Sequence, residues 1–378
     1  MSVAARPSGA ASRTPGGHPA GGAAPDLSAA PAQAQDAGSG TPGPGPRVRG
    51  TRTGLLLLTV AVLALACAAS VAVGARSVPL GTVWDAFTSF DPANGDHAVV
   101  LSRVPRTVLG LLTGAALGLA GAAMQGVARN PLADPGILGV NAGAAFAVVL
   151  GIYIFGITNL TGYIWFALAG AALAAVVVYL VASLGREGAT PVKLALAGAA
   201  LSAGLMSLLS AVLVSSQQTL DTFRFWRVGS VSGRDWDTIT AVLPFLAAGA
   251  LITLFAGRAL NGLSLGDDVA RGLGQRVGLS RGITALGVVL LCGAATAAAG
   301  PIAFIGLVIP HVVRSFTGPD YRWILPFSML LAPALLVVAD VVGRVLLPPG
   351  EIPVGITTAV IGAPVFIWLV RRRKLAEL

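Results

Sequence analysis

Charged residues are scarce in this sequence, at 11% of 378 residues, whereas an average soluble domain carries about 25%. Hydrophobic residues make up 55%. This balance excludes a soluble globular domain and is typical of a polytopic membrane protein. The 25 basic residues outnumber the 16 acidic ones. In a membrane protein this surplus indicates cytoplasmic loops and lipid headgroups, so it does not predict a nucleic-acid partner.

Lysine and cysteine each occur only twice. Neither Lys193 nor Lys374 follows a glycine, so the chain lacks the G-x-x-x-x-G-K-[ST] loop that cradles ATP phosphates. Cys67 and Cys292 fall within apolar runs, where we expect buried packing residues rather than a disulfide framework or a metal site. The H-E-x-x-H motif of metalloproteases is missing too. The sequence therefore predicts no catalytic residue, no bound metal and no cofactor held by this chain.

The first 50 residues are rich in Ala, Gly, Pro and Ser and have no apolar period. We expect residues 1–50 to be a disordered cytoplasmic tail, because they cannot bury enough apolar surface to fold. Arg47, Arg49 and Arg52 stand just before the first apolar run and place the N-terminus in the cytoplasm. Residues 51–378 then form the membrane domain.

Apolar runs of about 20 residues predict an all-α polytopic membrane protein with about ten transmembrane helices. The predicted spans are 54–75, 105–127, 136–155, 161–184, 191–214, 238–257, 282–299, 302–316, 324–347 and 353–370. The run at 302–316 is short for a full crossing and is consistent with a tilted, re-entrant or longer segment. Ten spans return the C-terminus to the cytoplasm.

Positive charge supports this topology. Of the 25 Lys and Arg residues, 18 fall on the predicted cytoplasmic side and seven on the outer side, as the positive-inside rule requires. An odd number of spans would place the basic cluster Arg371–Lys374 outside. The topology therefore puts the polar stretch Gly262–Arg281 in the cytoplasm.

The stretch Gly262–Arg281 interrupts the apolar sequence with a helical pattern. One face carries Leu265, Val269, Leu273 and Val277, and the other carries Asp267, Asp268, Arg271, Gln275 and Arg276. Ser264 and Asp267 fit a capping box, and Arg271 is expected to pair with Asp267. Gly272 and Gly274 predict two short helices with a bend. The pattern alone leaves two interpretations open, an amphipathic helix on the membrane surface and a docking element for a soluble partner.

Two further patterns concern the spans. Gly114-Ala-Ala with Gly121 recurs as Gly293-Ala-Ala with Gly300, five spans later, as in the inverted repeats of transporters. Chance is the alternative explanation in a chain with 49 glycines. Asp340, a carboxylate within a span, is expected to pair with Arg344 four residues later.

Motifs spread over residues 103–364 resemble the FecCD family, the permease subunits of ABC importers for iron-siderophores, haem and cobalamin. The motifs are Arg103-Val-Pro-Arg106, GAALGLAGAAMQG, Arg129-Asn-Pro-Leu-Ala-Asp-Pro135, Leu138-Gly-Val140, Leu263-Ser-Leu-Gly-Asp267, Ala270-Arg271, Leu273-Gly274, Gly300-Pro-Ile302, Gly306-Leu307, Pro310-His311, Arg314, Ala339-Asp340, Arg344, Pro353-Val-Gly355 and Gly362-Ala-Pro364. Together these motifs are highly specific. The N-terminal tail lies outside the resemblance.

The resemblance implies an ABC type II importer permease fold in the bacterial plasma membrane. It implies a second permease subunit, two ATPase subunits that bind ATP and Mg, and an extracytoplasmic binding protein. It also implies three sets of site residues. Coupling helices at about 260–281 would dock on the ATPase through Ser264, Leu265, Gly266, Asp267, Asp268, Ala270, Arg271, Leu273 and Gly274. A cytoplasmic gate would include Asn130, Pro131 and Leu132, and exposed arginines Arg103, Arg106 and Arg344 would receive acidic side chains of the binding protein.

The function expected from this resemblance is import of an iron-siderophore complex by a subunit without its own ATPase site. Cobalamin and haem are alternative cargoes. A second hypothesis is an ion-coupled secondary transporter, supported by the inverted repeat. A third hypothesis is a membrane-embedded enzyme, but no group of catalytic residues in the sequence supports it.

Overall fold

The apolar runs form helices, because a helix satisfies its backbone hydrogen bonds within its own segment and therefore tolerates a bilayer. The computed structural model describes residues 47–74, 76–157, 159–184 and 189–376, and its regular structure there is entirely helical. The tail predicted to be disordered lies outside the described residues, apart from residues 47–50. Those four residues belong to the first helix, so the helix begins slightly earlier than expected.

Fourteen α-helices are present in the described ranges. They are α1 Arg47–Ala72, α2 Leu80–Thr88, α3 Gly95–Ala128, α4 Val140–Phe155, α5 Leu160–Ser183, α6 Pro191–Ser215, α7 Gln217–Arg227, α8 Trp236–Phe255, α9 Gly257–Ser264, α10 Asp267–Gly272, α11 Val277–Ala299, α12 Ile305–Thr317, α13 Tyr321–Leu346 and α14 Val354–Ala376. A short 3₁₀ helix covers Pro135–Leu138.

The ten predicted spans all correspond to helices. Seven helices are long and apolar enough to cross a membrane: α1, α3, α5, α6, α8, α11 and α13. Three shorter apolar helices, at Val140–Phe155, Ile305–Thr317 and Val354–Trp368, fill the remaining positions. The all-α polytopic fold is therefore confirmed. Sequence analysis did not identify α2 and α7, which lie between spans and are too short to cross.

Helix α3 forms the centre of the molecule and packs against α11, α12 and α13. Small residues allow this close approach. A Cβ atom on Gly121 would overlap the backbone carbonyl of Gly306 in α12, and one on Gly114 would overlap the backbone of Pro333 in α13. Glycine therefore lets the backbones of α3 and its neighbours touch directly.

The corresponding glycines of the predicted repeat, Gly121 and Gly300, have different surroundings in the structure. Helices α3 and α11 pack together. The end of α3 and the start of α11 both lie at Asp267, so the two helices run in opposite directions, as an inverted repeat requires. However, Gly121 lies inside α3, whereas Gly300 follows α11 with a φ of 75° and lies against the carbonyl of Trp226. Packing explains the first glycine and backbone conformation explains the second.

The short eighth span is a short helix preceded by irregular backbone. Helix α12 has 13 residues, so it is about 20 Å long and shorter than the roughly 30 Å hydrocarbon core. The segment before it includes Ile302, which is buried, and Phe304, whose φ is 69°. Irregular backbone at membrane depth is tolerated where protein surrounds it. This explains why the apolar run at 302–316 is short for a full crossing.

Candidate functional site

Polar side chains gather at two opposite ends of the helix bundle. At the first end, Asp267 of α10 contacts Arg129 after α3 and Arg281 in α11. At the second end, Asp340 of α13 contacts Arg106 in α3 and Arg344 in its own helix. Backbone hydrogen bonds there also join Ser230 to Ala299 and Gly355 to Gly229. We call these the coupling end and the arginine end.

Asp267 joins three elements at the coupling end. Arg281 donates to both of its carboxylate oxygens, at 3.0 and 2.8 Å, and also to the carbonyl of Ala189. Arg129 lies 3.3 Å from the same carboxylate. The side chain of Arg281 is only 6% exposed, whereas that of Arg129 is 35% exposed. This Asp267 triad fixes α10 to the end of α3 and to the first turns of α11.

The predicted local contacts of Asp267 are wrong. Ser264 is the last residue of α9 and its hydroxyl donates to the carbonyl of Asn261, so it does not cap α10. Arg271 pairs with Asp268, at 2.9 Å, instead of Asp267. Gly266 precedes α10 with a φ of 107°, a conformation that glycine adopts most readily. The two arginines that hold Asp267 come from distant helices, which a local pattern cannot show.

The predicted bend between short helices is present. Helix α10 ends at Gly272, and Gly274 has a φ of 79° before α11 begins at Val277. Val277 is buried, so it does not belong to the same exposed surface as the other apolar residues of its predicted face.

An exposed apolar patch remains at the coupling end. Leu265, Val269 and Leu273 are 62%, 50% and 69% exposed, while Ala270 between them is fully buried. The side chains of Asp268 and Arg271 are also exposed beside the patch. A patch with exposed apolar residues and charges at its edge has the chemistry of a protein-binding surface.

The predicted gate residues form a turn directly after α3. Arg129 ends that helix in the left-handed conformation, with a φ of 50°. The Asn130 side chain accepts a hydrogen bond from the amide of Leu132, at 2.9 Å. Leu132 is 42% exposed, and Pro131 is half-buried. The turn therefore projects a leucine from the coupling end, next to the Asp267 triad.

A second network at this end joins α9, α12 and α13. Asn261 donates to Asp320 at 2.6 Å and accepts from the amide of Tyr321 at 2.8 Å. Arg314 donates to the hydroxyl of Tyr321 at 2.9 Å. Hydrogen bonds from Arg322 and then from Asn261 outweigh burial and lower the pKa of Asp320 to about 2. No local sequence pattern marks Asn261 or Asp320, because their contact joins residues 59 positions apart.

The arginine end is organised around Arg106 in α3. Its guanidinium donates to both oxygens of Asp340 in α13, at 2.9 and 2.8 Å. It also donates to Glu351, at 2.7 Å, and to the hydroxyl of Ser232. The expected pair between Arg344 and Asp340 is present at 3.2 Å. Arg106 and Arg344 therefore share a single buried carboxylate.

Two of the three predicted docking arginines are buried. Arg344 is 2% exposed and donates to the carbonyl and hydroxyl of Ser70. Arg103 is 8% exposed and donates to the carbonyls of Val71 and Ala72 at the end of α1, and to that of Arg76. The expectation that these arginines are exposed is therefore wrong for Arg103 and Arg344. Both satisfy orphan carbonyls or hydroxyls, which hold α1 against α3 and α13.

Glu351 is the exposed member of this network. Its side chain is 36% exposed, compared with 11% for Arg106 and 4% for Asp340. Burial would raise the pKa of Glu351, but the hydrogen bond and charge of Arg106 and the hydroxyl of Ser232 hold it below its usual range. Glu351 stays ionised at neutral pH and covers the accessible side of Arg106. No pattern in the sequence marked Glu351.

The two cysteines differ in burial. Cys292 is buried as predicted, whereas Cys67 is only half-buried. Cys67 lies in α1, which packs on the bundle along one side only.

Comparison with known proteins gives consistent matches. The FecCD transport family model matches residues 61–372. FepD, the ferric enterobactin transport system permease protein of Escherichia coli, is 49% identical over 302 residues, which is 80% of this chain and 90% of FepD. FhuB, the iron(3+)-hydroxamate import system permease protein of Bacillus subtilis, is 42% identical and covers 80% of this chain and 79% of FhuB.

Solved structures show the same fold. A transporter described as metal-chelate type, of the ABC class and in an inward-facing conformation, matches with a TM-score of 0.74 and 29% identity. The match covers 86% of this chain and 99% of that one. PsaBC from Streptococcus pneumoniae matches with a TM-score of 0.54 at 14% identity, which shows a shared fold alone.

The family match, the relatives and the multi-pass helical fold shared with a solved ABC transporter define a membrane transport permease of the ABC importer type. The chain belongs to the FecCD transport family, whose model covers most of its length.

Proposed function

We propose that this chain is the membrane subunit that translocates an iron-siderophore complex delivered by an extracytoplasmic binding protein. The observation that supports this most strongly is the identity to FepD over 80% of the chain. FepD and FhuB are named for ferric enterobactin and for iron(3+)-hydroxamate, so their common cargo is a ferric chelate. The proposed cargo class is therefore an iron chelate rather than haem or cobalamin.

We propose that the coupling end faces the cytoplasm of a bacterial cell, with both termini on that side. The positive-inside rule supports this orientation, because 18 of the 25 Lys and Arg residues fall on the side of the coupling end in the predicted topology and seven on the other side. The arginine end would then face outward, where a binding protein arrives.

The energy source in this proposal is a separate ATPase. Two ATPase subunits would bind ATP and Mg beneath a pair of permease subunits, and this chain would hold neither. The exposed patch of Leu265, Val269 and Leu273, with Asp268 and Arg271 at its edge, supports docking of such a partner. The turn Asn130–Leu132 beside it would narrow the pathway.

The arginine end is proposed to receive acidic side chains of the binding protein. Arg106 is the least buried of the three, with 11% of its side chain exposed, and it already holds a partly exposed carboxylate, Glu351. An acidic side chain of the partner would replace Glu351 at Arg106. Arg103 and Arg344 would contribute through their charge, since both are buried.

The proposal is tested by reconstitution of the complete transporter in proteoliposomes. Uptake of radio-iron as a ferric siderophore should require the binding protein and internal ATP. An ion gradient without ATP should drive no uptake. Uptake that follows an ion gradient alone would support a secondary transporter instead, and uptake of cobalamin or haem in preference to ferric chelates would change the cargo.

A further inference from the structure

A cavity of about 900 Å³ lies at the arginine end and meets the network around Arg106 at Ser232. It lies between the first turns of α5, the length of α7, the loop before α8 and the start of α14. Its aromatic residues are Tyr163, Phe225 and Trp226, and its polar ones include Gln218, Ser232 and Arg234. One carboxylate, that of Asp221, also lines it and is paired with Arg224 at 3.1 Å. Small-molecule sites are typically cavities of about 300–1,000 Å³ with a few placed polar groups.

Three buried donors in this cavity have no partner among the described residues. Trp226 is 3% exposed and its indole N–H makes no hydrogen bond. Tyr163 is 6% exposed and its hydroxyl also makes none. The Nε of Arg234 is buried and unpartnered too. Buried polar groups are normally satisfied, so three such groups around one cavity mark it as a candidate ligand site.

Arg234 differs from the arginines of the neighbouring network. Arg103, Arg106 and Arg344 all donate hydrogen bonds to groups of this chain. Among the described residues, Arg234 has no hydrogen bond or ion pair. The adjacent Asp235 is occupied, because its carboxylate caps α8 through the amide and hydroxyl of Thr238.

Burial of the unpaired guanidinium is costly. Burial lowers the pKa of Arg234 to about 10, against the attraction of Asp235. The group is still protonated at neutral pH, so it is a half-buried positive charge facing a cavity. An anion bound there would neutralise it and form charge-assisted hydrogen bonds with it.

We propose that this cavity binds an anionic ferric chelate whose iron is held by catecholate oxygens, as a stage of its passage through the permease. Arg234 binds the negatively charged oxygens, Trp226 and Tyr163 donate hydrogen bonds to them, and the aromatic rings contact the catechol rings. An uncharged hydroxamate chelate matches this site less well, because it has neither the charge nor the rings. The inference rests on the proposed function and specifies the substrate class.

Binding to the complete transporter tests the site. The probes are a trianionic iron(III) complex of a synthetic tris-catecholate and an uncharged iron(III) tris-hydroxamate complex, followed by equilibrium dialysis with radio-iron. Arg234→Gln should weaken binding of the tris-catecholate about tenfold or more, because a charge-assisted contact is lost. Trp226→Phe and Tyr163→Phe, which keep the ring, should weaken it by about threefold or more.

Arg227→Gln is the matched control, since Arg227 is exposed and does not line the cavity. It should leave binding of both probes unchanged, and Arg234→Lys should retain part of the affinity. Thermal unfolding of each variant confirms that it is folded. Equal effects of Arg234→Gln and Arg227→Gln, equal losses for both probes, or no binding of the tris-catecholate to the wild type would overturn the site.

Uptake by the wild-type transporter separates this inference from the proposed function. If ferric chelates are imported and Arg234→Gln binds like the wild type, the site is wrong and the function stands. If no ferric chelate is imported under any condition, the proposed function fails.

Discussion

Arg106 has more acidic partners than any other arginine of the arginine end. Its bidentate contact with Asp340 is buried, whereas its contact with Glu351 reaches the surface. An incoming carboxylate can therefore compete for Arg106 only by displacing Glu351. Exposed charges also steer the encounter with a partner of opposite sign.

This competition predicts opposite effects of two substitutions on binding-protein docking. Arg106→Glu should slow association by about tenfold, because repulsion replaces attraction. Glu351→Gln should tighten docking, because it removes the internal competitor. Surface plasmon resonance with the purified binding protein measures both rates. Higher salt should reduce the advantage of the wild type over Arg106→Glu. If neither the two substitutions nor the salt concentration changes the association rate, Arg106 is a purely structural residue.

Asp340 should be essential for stability. Its carboxylate is shared by Arg106 and Arg344, and removing one partner of a buried ion pair leaves uncompensated charge. Asp340→Asn should lower the free energy of unfolding by about 3 kcal/mol. Thermal unfolding in detergent measures this loss. Asp85→Asn, in the exposed part of α2, is the control and should have little effect.

At the scale of elements, α10 presents its charges to the solvent. Asp268 and Arg271 pair with each other at an exposed surface, so exchanging their charges keeps the pair but reverses its polarity. The double change Asp268→Lys, Arg271→Glu should leave folding and membrane insertion intact but uncouple transport from ATP hydrolysis. Hydrolysis and uptake are measured together in proteoliposomes. Asp237→Lys, at the arginine end, is the control, and normal transport by the double variant would show that α10 does not couple.

The Asp267 triad predicts a different kind of coupling defect. Asp267 holds α10 against the end of α3, so Asp267→Asn should lower the amount of cargo moved per ATP hydrolysed while the ATPase still assembles. Arg129→Gln removes one contact of the same triad. The two changes combined should cost less than the sum of their separate effects, because they act on one interaction. Additive losses would mean that Asp267 and Arg129 act independently.

The elements differ in how far sequence could predict them. Hydropathy predicted the ten spans, because a bilayer demands long apolar runs whatever their neighbours are. Helix α3 nevertheless begins at Gly95, ten residues before its predicted start, since its first turns are polar. Asp268 was correctly expected to be at a surface, but the partners of Asp267 were wrong. Those partners depend on the packing of α3, α10 and α11, which no local pattern contains.

The same limit applies to the arginine end. The pair of Asp340 and Arg344 follows from helical spacing and was predicted. The burial of Arg344 against Ser70 was not predicted, because Ser70 lies 274 residues away in the sequence. Arg234 belongs to no sequence motif. Only the folded structure shows that the Nε of its guanidinium is buried without a partner.

At the scale of the whole molecule, the coupling end brings the exposed apolar patch of Leu265, Val269 and Leu273 and the turn after α3 together. The Asp267 triad connects the two directly. In an assembly of two such permeases, movement of α10 would therefore reach Leu132 through Arg129. Leu132 is exposed in a single copy, so it is free to meet its equivalent across the pathway.

A cross-link between two copies tests this gate. Leu132→Cys, in a chain whose Cys67 and Cys292 are replaced by Ala, should form a disulfide between subunits in the closed state and block uptake. Reduction should restore uptake, because only the gate is held. Ser315→Cys, exposed at the same end, is the control for non-specific oxidation. Continued uptake with the Leu132→Cys cross-link fully formed would show that the turn only redirects the chain and does not close the pathway.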